Sequence, residues 1–368
     1  MIQLHVATCI CVLPTACGTI TLFSVITVQG DLMKSSIQDV ARLAHVSIST
    51  VSRSFTRPDL VSQATRDKVM KAADDLNFSI SRSAAALKTG RALRIAVLVS
   101  GRLNLWFSSS IIEGLNEVFH DEGYDISIYQ MSSTEERSEF FDMLPVRRNV
   151  DAVIVISFDI DSNEIKQLKS VDVPIIGINC SLPQERGFNA AVRIDDKQGS
   201  ELAARHLMTL GHRDIAYIRT DREVTLHFSV AGRFESFMAC CEANGITPRE
   251  LVTDENENNI SKVVTQLLSL DRMPTAIACQ EDGIAIPLLF QLERSGFTVP
   301  NDISIIGYDD SAYAHDIGLT TIRQTPVEMA RTAAHMALDL IDKKEIDEPF
   351  KTFPAQLIVR STTARLRH

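Results

Sequence analysis

The chain has 368 residues, of which 45% are hydrophobic and 23% charged, as in an ordinary soluble globular protein long enough for two or three domains. Its net charge of −10 is uneven, because residues 33–94 hold eleven Lys or Arg against five Asp; this local charge of +6 leaves −16 on the rest and favours nucleic-acid binding at the basic end alone. The seven cysteines form no C-x-x-C pair and show no His spacing that suits zinc, which argues against a zinc site and favours reduced core thiols in a cytosolic protein.

Residues 1–32 differ from everything after them, because they contain no Lys or Arg and no acidic residue before Asp31. A signal peptide needs a basic n-region, which is missing, and Pro14 stands where lipid attachment at Cys17 would need leucine. Pro14, Gly18 and several Thr also interrupt the apolar run that a membrane-spanning helix would need. The segment "MKSSIQDVA" begins at Met33, so we expect translation to start there and residues 1–32 to be a non-native upstream extension.

The first predicted helix begins after Ser36, which forms a capping-box pattern with Asp39. It should run through Leu43 or Ala44. The side chains of Val40, Leu43 and Ala44 are predicted to share its buried face.

A tight turn and a second helix are predicted next. His45 occupies a turn position that often holds glycine, and His tolerates a positive φ better than most side chains. Ser47 should cap a helix that runs to about Phe55, with Val51 and Phe55, four residues apart, facing inward. The side chains predicted to face outward are those of Ile48, Ser49, Ser52 and Arg53.

A third helix, "SQATRDKVMKAADDLNF", is predicted to follow its cap at Ser62 and to bury Val69, Ala72, Ala73 and Leu76. Two short helices joined by a tight turn and closed by a third form a helix-turn-helix unit, whose second helix lies in the DNA major groove. The hydroxyl groups of residues 47–55 would then cap the helix and contact phosphates, while Arg53 could hold a guanine through two hydrogen bonds. These residues alone leave open a plain three-helix bundle with a polar face.

The string "SSIQDVARLAHVSISTVSRSF" resembles the head of the lactose-repressor (LacI) family of bacterial transcription regulators. The resemblance implies that residues 33–78 form the DNA-binding domain and that Ile48, Ser49 and Arg53 read bases. Residues 79–93 resemble the family's hinge helix and linker, in which Leu87 matches a leucine that enters the minor groove. The family usually has Pro-Asn where this chain has Ile80-Ser81, and a plain linker is the alternative. The predicted DNA-binding residues are Ser47, Ile48, Ser49, Thr50, Ser52, Arg53, Ser62 and Leu87.

From Arg94 onward, apolar strands alternate with helices. Continuous apolar strands separated by helices predict parallel, doubly wound sheets, and there are too many strands for one sheet. We therefore expect an α/β body of two lobes, with a ligand in the cleft at the carboxyl ends of the strands. The predicted strands are "RIAVLVS", "YDISIYQ", "DAVIVIS", "PIIGIN", "AVRID", "DIAYIRT", "TAIACQ" and "ISIIGYD".

No motif for catalysis or cofactor binding occurs in this body. No G-x-G-x-x-G opens a helix after a strand, and G-x-x-x-x-G-K-[ST] and G-x-S-x-G are missing. No nucleophile is paired with a base in the sequence. We therefore predict no catalytic site, no cofactor and no metal.

Strings such as "IIEGLNEVFHDEGYDI", "PTAIACQEDGIAI" and "VPNDISIIGYDD" resemble the effector-binding body of the same family, residues 94–368. The resemblance implies a periplasmic-binding-protein-like sensor that binds a small effector and dimerises. It also implies one lobe of about 95–193 plus 325–345 and a second of 194–324 plus 346–368.

The effector contacts are also implied residue by residue. Asp309 matches the family's hydroxyl-binding carboxylate and Arg233 its arginine, while an aromatic side chain at Trp106 or Phe107 could lie against a sugar ring. Structural roles remain open, since Asp309 could cap a turn and Arg233 could pair with Glu235 or Asp221. The predicted effector-binding residues are Trp106, Phe107, Asp195, Arg233, Glu281, Asp309 and Gln324.

Two departures add acidic groups at this site. Glu281 replaces the family's usual Asn, and Asp196 follows Asp195 where Asn is common. An added acid inside the cleft would favour a basic or strongly hydrogen-bonding ligand, unless its side chain points outward. A sugar or related polyol is the effector class that the family implies.

Together these features predict a cytoplasmic, homodimeric repressor that binds near-palindromic operator DNA under the control of an effector, without membrane association. An exported solute-binding lipoprotein would use the same body and make residues 1–32 a real leader, but it has no use for residues 33–91. An effector-degrading enzyme on the same lobes has no catalytic residues to support it.

Overall fold

The structure is a computed structural model. It describes residues 35–56, 58–78, 91–100, 102–131, 133–147, 149–158, 160, 162–180, 187–220, 228–253 and 259–366. The chain divides into two compact units, the first ending at Ala85 and the second beginning at Ala86. The predicted upstream extension, the predicted hinge helix and Leu87 lie outside the described residues.

The described part of the first unit contains three helices, as predicted. They are α1 (Ile37–Leu43), α2 (Ile48–Thr56) and α3 (Gln63–Asp75), with a short 3-10 turn at Pro58–Leu60 between the last two. Val40, Val51 and Val69, one from each helix, are fully buried against one another. Each helix is short, so its stability depends on this shared core rather than on the helix alone.

The predicted helix boundaries of the first unit rest on side-chain caps. The Ser36 hydroxyl accepts a hydrogen bond from the Asp39 amide, and the Asp39 carboxylate accepts one from the Ser36 amide, so both halves of the capping box are formed. His45 has a φ of 54°, which confirms the tight turn.

Leu43 is 47% exposed, so its predicted burial was wrong. Successive residues are rotated by about 100° around a helix, and Ala41 occupies the buried face that Val40 and Ala44 define.

The second unit is built from alternating strands and helices. Its strands are β1 (Arg94–Ser100), β2 (Asp125–Met131), β3 (Ala152–Ile156), β4 (Ile175–Ile178), β5 (Ala190–Ile194), β6 (Ile215–Thr220), β7 (Arg249–Thr253), β8 (Ala276–Cys279), β9 (Ser304–Ile306), β10 (Thr321–Arg323), β11 (Phe350–Phe353) and β12 (Gln356–Ile358). Its helices are α4 (Trp106–Asp121), α5 (Thr134–Arg147), α6 (Ser162–Val171), α7 (Asp196–Thr209), α8 (Phe228–Glu242), α9 (Asn259–Leu268), α10 (Asp282–Arg294), α11 (Ala312–Asp316) and α12 (Pro326–Ile341).

Two parallel sheets define two lobes. The first lobe contains a six-stranded sheet in the order β11-β5-β4-β3-β1-β2, and the second a four-stranded sheet in the order β7-β6-β8-β9. All pairings inside these sheets are parallel, whereas β10 and β12 form a small antiparallel pair. The central strands β1, β3 and β8 are buried almost along their whole length, which explains their continuous apolar sequences.

Helices α4 and α12 pack closely in the first lobe. Pro326 lies in the first turn of α12, where its missing amide costs no helical hydrogen bond. Small buried residues, including Ala330, line the α12 face toward α4. On α4, a Cβ atom at Gly114 would lie 2.5 Å from the Val327 carbonyl oxygen and 2.8 Å from the Ala330 Cβ. Only glycine therefore permits this approach of the two helices.

The last part of the chain differs from the prediction. Strand β11 pairs with β5 in the first sheet, so Phe350–Phe353 does not belong to the second lobe, to which residues 346–368 were assigned. The third crossing between lobes thus comes after Phe353. The reason for the error is that β11, "FKTF", is a half-exposed edge strand with little apolar signal, and it was not recognised. Strands β7 and β12 were missed for the same reason.

Candidate functional site

The N-terminal half of α2 presents polar groups and one apolar side chain to the surface. The Ser47 hydroxyl accepts a hydrogen bond from the Thr50 amide at 3.1 Å and lies 2.8 Å from the hydroxyls of Ser49 and Thr50. Ile48 is 48% exposed, so about half of this apolar side chain is in contact with water. Arg53 is exposed one turn further on.

The remaining predicted DNA-binding residues of the first unit differ in how exposed they are. Ser52 is half-buried rather than fully exposed. Ser62 caps α3, with its hydroxyl 2.9 Å from that of Thr65, and is itself exposed. The outward face of α2 thus carries Ile48, Ser49 and Arg53, as predicted, above a base formed by Val51 and Phe55.

In the second unit, Arg233, Asp309 and Gln324 come together at the carboxyl ends of strands. The Gln324 side-chain amide donates a hydrogen bond to Asp309 Oδ1 at 2.6 Å, and Arg233 Nη1 lies 3.8 Å from the same oxygen. Arg233 Nη2 lies 3.5 Å from Gln324 Oε1. All three side chains are buried, so the hydrogen bonds of their polar atoms must come from one another or from a ligand.

Asp196 holds Arg233 in place. Its carboxylate accepts a hydrogen bond from Arg233 Nε at 2.7 Å and another from the Tyr308 hydroxyl at 2.8 Å. The Arg233 guanidinium also lies over the Tyr308 ring, 4.0 Å from its centroid. Burial opposes the charge on Arg233, but Asp196, Tyr308 and Asp309 outweigh it and raise the pKa of the guanidinium. Arg233 is therefore a permanent cation in a fixed orientation.

Asp282 supports the cluster from beneath. It is 1% exposed, and its two oxygens accept hydrogen bonds from the Thr321 hydroxyl and from both the amide and the hydroxyl of Ser311. Burial nevertheless raises the pKa of Asp282 to about 6. This carboxylate ties β10 to the loop that follows β9.

Asp309 is held in an unfavourable backbone conformation. Its φ is 132°, a backbone angle that residues other than glycine rarely adopt. Such backbone strain is characteristic of functional positions. Burial, together with the nearby charges of Asp282 and Glu281, raises the pKa of Asp309 well above its usual value, although Arg233 and Gln324 act in the opposite direction.

The other predicted effector residues are less closely connected to the cluster of Arg233, Asp309 and Gln324. Glu281 is half-buried at the start of α10 and near enough to influence Asp309. The Asp195 side chain caps α7 through the Gln198 amide, at 2.9 Å. Trp106 and Phe107 are half-buried in the first turn of α4, and Phe107 packs against the core.

Four residues of the cluster were not predicted to bind effector. Asp196 was noted only as an acid of unknown orientation, and its side chain points into the cluster; Arg233 pairs with it and not with Glu235. The others are Tyr308, Gln280 and Asp282, each directly after or before a residue that was predicted. Their position at strand ends was a usable signal, because the carboxyl ends of parallel strands share one edge.

Within the described residues, no group of three or more His, Cys, Asp or Glu side chains is arranged to hold a metal ion. A search of the same residues finds no helix with the length and apolarity needed to span a membrane.

Two family descriptions match the chain. Residues 36–81 match the bacterial regulatory proteins of the lacI family, and residues 204–363 match a periplasmic binding protein-like domain. Among curated relatives, the HTH-type transcriptional repressor PurR of Vibrio vulnificus (strain CMCP6) is 30% identical, over 90% of this chain and 99% of that protein. The corresponding PurR of Vibrio campbellii is 29% identical over the same shares.

Solved structures agree with the fold. A lac repressor dimer bound to operator and the anti-inducer ONPF matches with a TM-score of 0.76 and 26% identity, over 90% of this chain and 99% of that one. A lacI-family regulator from Enterococcus faecium with bound ribose matches with a TM-score of 0.65 and 28% identity, over 74% of this chain and 100% of that one. The likeness thus extends over both described units.

Proposed function

The chain belongs to the lacI family of bacterial regulatory proteins and is a DNA-binding transcriptional regulator under small-molecule control, and on this premise we propose how its parts divide that function. Residues 33–78 bind a near-palindromic operator, residues 79–93 form the hinge, and residues 94–368 bind the effector and a second copy of the chain. The protein acts in the cytoplasm, where its operator lies, and as its relatives are regulators it catalyses no reaction.

The exposed face of α2 supports the DNA-binding assignment. Ile48 is a large apolar side chain exposed to water, and its burial against a thymine methyl group would be favourable. Arg53, one turn later, has the donor geometry for a guanine edge. We assign Ser47, Thr50 and Ser62 to phosphate contacts because their hydroxyls lie at helix N-termini, where anions bind favourably.

A homodimer would present two α2 helices to the two halves of a near-palindrome. The lac repressor in the matched structure is a dimer on its operator. In this chain, large apolar side chains are exposed on both lobes: Ile128 and Met143 on the first, and Phe290 and Tyr313 on the second. We assign these surfaces to the partner copy and expect Phe290→Glu to weaken self-association in sedimentation experiments.

The Arg233–Asp309–Gln324 cluster is the observation that carries the effector assignment. A carboxyl group, a guanidinium and an amide within 4 Å of one another can grip adjacent hydroxyl groups, while Trp106 or Phe107 supplies an apolar face for a ring. The effector class that fits is a sugar or related polyol, and the regulator from Enterococcus faecium was solved with ribose.

Footprinting on the DNA upstream of its own gene tests this proposal, at one fixed salt concentration because affinity depends on salt. The full chain should protect a near-palindrome, and one member of a panel of sugars and nucleosides should change the protection. Arg53→Ala should weaken binding by about 1–3 kcal/mol and relax base preference. Arg205→Ala, which removes an exposed charge from α7, is the matched control. Absence of protection by the wild type at every salt concentration, or an equal loss in both variants, would refute the assignment.

A further inference from the structure

The effector cluster contains more acidic than basic side chains. In the described part of the chain, Arg233 is the cation in direct contact with it, whereas Asp196, Asp282, Asp309 and, at its edge, Glu281 supply carboxyl groups. Two further arginines lie close by, at positions 323 and 360, but both bind the carboxylate of the adjacent Asp310 at 2.6 Å. The cluster therefore keeps an excess of negative charge.

Arg233 makes three hydrogen bonds within the protein. Its Nε is bound to Asp196, and its Nη1 donates to the Gln280 carbonyl oxygen at 3.3 Å. Its Nη2 approaches Gln324, and one face of the guanidinium is covered by the Tyr308 ring. A guanidinium that would otherwise attract an anionic or hydroxyl-rich ligand is thus neutralised within the protein.

An unfilled acceptor lies in the same cluster. Gln280 is fully buried, and its side-chain amide donates to the Thr220 hydroxyl at 3.0 Å, but none of the described residues donates a hydrogen bond to its Oε1. Buried acceptors are normally satisfied, so this oxygen points to a donor that arrives from outside. Gln280 follows β8 and Thr220 ends β6, the neighbouring strand, which places both at the carboxyl edge where ligands bind.

Asp309 offers a second acceptor. Its Oδ1 receives the Gln324 amide, whereas no described residue donates to Oδ2. Carboxylate and amide oxygens accept hydrogen bonds, and a protonated amine supplies three donors and a compensating charge. We propose that the effector of this regulator is a polyol that carries a protonated amino group, such as an amino sugar, with the ammonium bound among Asp309, Asp196 and Glu281. This inference rests on the proposed function, because it takes the same cluster to be the effector site.

The proposal assigns a role to the chain's departure from the family pattern. Asp196 neutralises Arg233 and thereby shifts the balance of the site from guanidinium to carboxylate. Asp196→Asn should reverse that shift, since asparagine keeps the shape but not the charge. The variant should lose preference for an amine and gain affinity for the neutral sugar.

Calorimetric titration of the full chain with matched sugars tests the proposal. Each set contains the amino sugar, the parent sugar and the N-acetyl form, for the glucose, galactose and mannose series. The amino sugar of at least one series should bind about ten-fold to a hundred-fold more tightly than its two neutral counterparts, which is the gain of a charge-assisted over a neutral hydrogen bond. In Asp196→Asn this ratio should fall by about ten-fold.

Glu242→Gln is the matched control, because Glu242 is exposed at the far end of α8, the helix that carries Arg233. It should leave the ratio unchanged, and thermal melting of both variants checks that they fold. Tighter or equal binding of the neutral sugars, or no binding of any amine, would overturn the proposal. Footprinting with the same preparations separates the two assignments, since a protected operator with no amine preference refutes only the amine.

Discussion

The buried ion pair between Arg233 and Asp196 should contribute strongly to the stability of the second unit. The two side chains are 6% and 13% exposed, and Nε lies 2.7 Å from the carboxylate oxygen. Arg233→Met keeps much of the volume but leaves Asp196 without its cation. Removing one member of a buried pair typically costs about 3–5 kcal/mol, because the other charge stays buried and unpaired.

The structure favours the lower end of that range. Asp196 keeps the hydrogen bond from the Tyr308 hydroxyl, and Asp309 keeps the one from the Gln324 amide. Burial already raises the pKa of Asp309, and loss of Arg233 would raise it further, which limits the cost of leaving this carboxyl group without its cation. We therefore expect a loss of about 3 kcal/mol. Adding Asp196→Asn to Arg233→Met should recover part of it.

Urea unfolding followed by the fluorescence of Trp106 provides the assay. Trp106 is the single tryptophan of the chain and lies in α4, so its signal reports the second unit. Arg205→Met is the control, because the Arg205–Glu201 pair is 66% and 29% exposed. The control should lose at most about 0.5 kcal/mol. Equal, small losses in the two variants would show that the Arg233–Asp196 pair is solvated and would refute the reasoning.

Three further predictions concern packing and pH. Gly114→Ala should destabilise the second unit by about 1–3 kcal/mol in urea unfolding, because its Cβ would overlap α12; Gly232→Ala, in a helix with open space, should be neutral or stabilising. Val51→Ala should lower the melting temperature of the first unit by removing buried volume, at a cost of about 2 kcal/mol, and a loss as small as that of a surface substitution would contradict the packing of α2. The native state retains a proton on Asp282 up to about pH 6, whereas the unfolded chain releases it near 3.8, so this group's contribution to unfolding free energy should fall as pH rises between those values. The fall is on the order of 3 kcal/mol and should disappear from the pH profile of Asp282→Asn.

The sequence was informative where local chemistry decides structure. The Ser36–Asp39 capping box, the left-handed turn at His45 and the cap at Ser62 follow from side chains within four residues of the backbone they bind. Strands such as β1 are continuous apolar runs because both of their faces are covered by helices. These features involve few competing contacts, so the local pattern and the folded structure agree.

The errors concern features that depend on distant parts of the chain. Strand β11 joins the first sheet through an edge pairing with β5, more than 150 residues earlier, and its own sequence carries little apolar signal. The orientation of Asp196 was undetermined, because its partners, Arg233 and Tyr308, lie 37 and 112 residues away. The family resemblance located Arg233 and Asp309, but not the group that neutralises the arginine.

The positions of the cluster residues explain how a ligand can alter the arrangement of the lobes. Asp196 begins the helix that follows the first crossing between lobes, and Gln324 precedes the helix that follows the second. Arg323 and Arg360 clamp Asp310, which ties β10 to the chain after the third crossing. A ligand that binds among Arg233, Asp309 and Gln324 therefore contacts crossing segments directly. It can shift the equilibrium only through a difference in its affinity for the two arrangements. An ammonium group bound beside Asp309 would provide such a difference, since it attracts carboxylates that otherwise repel one another.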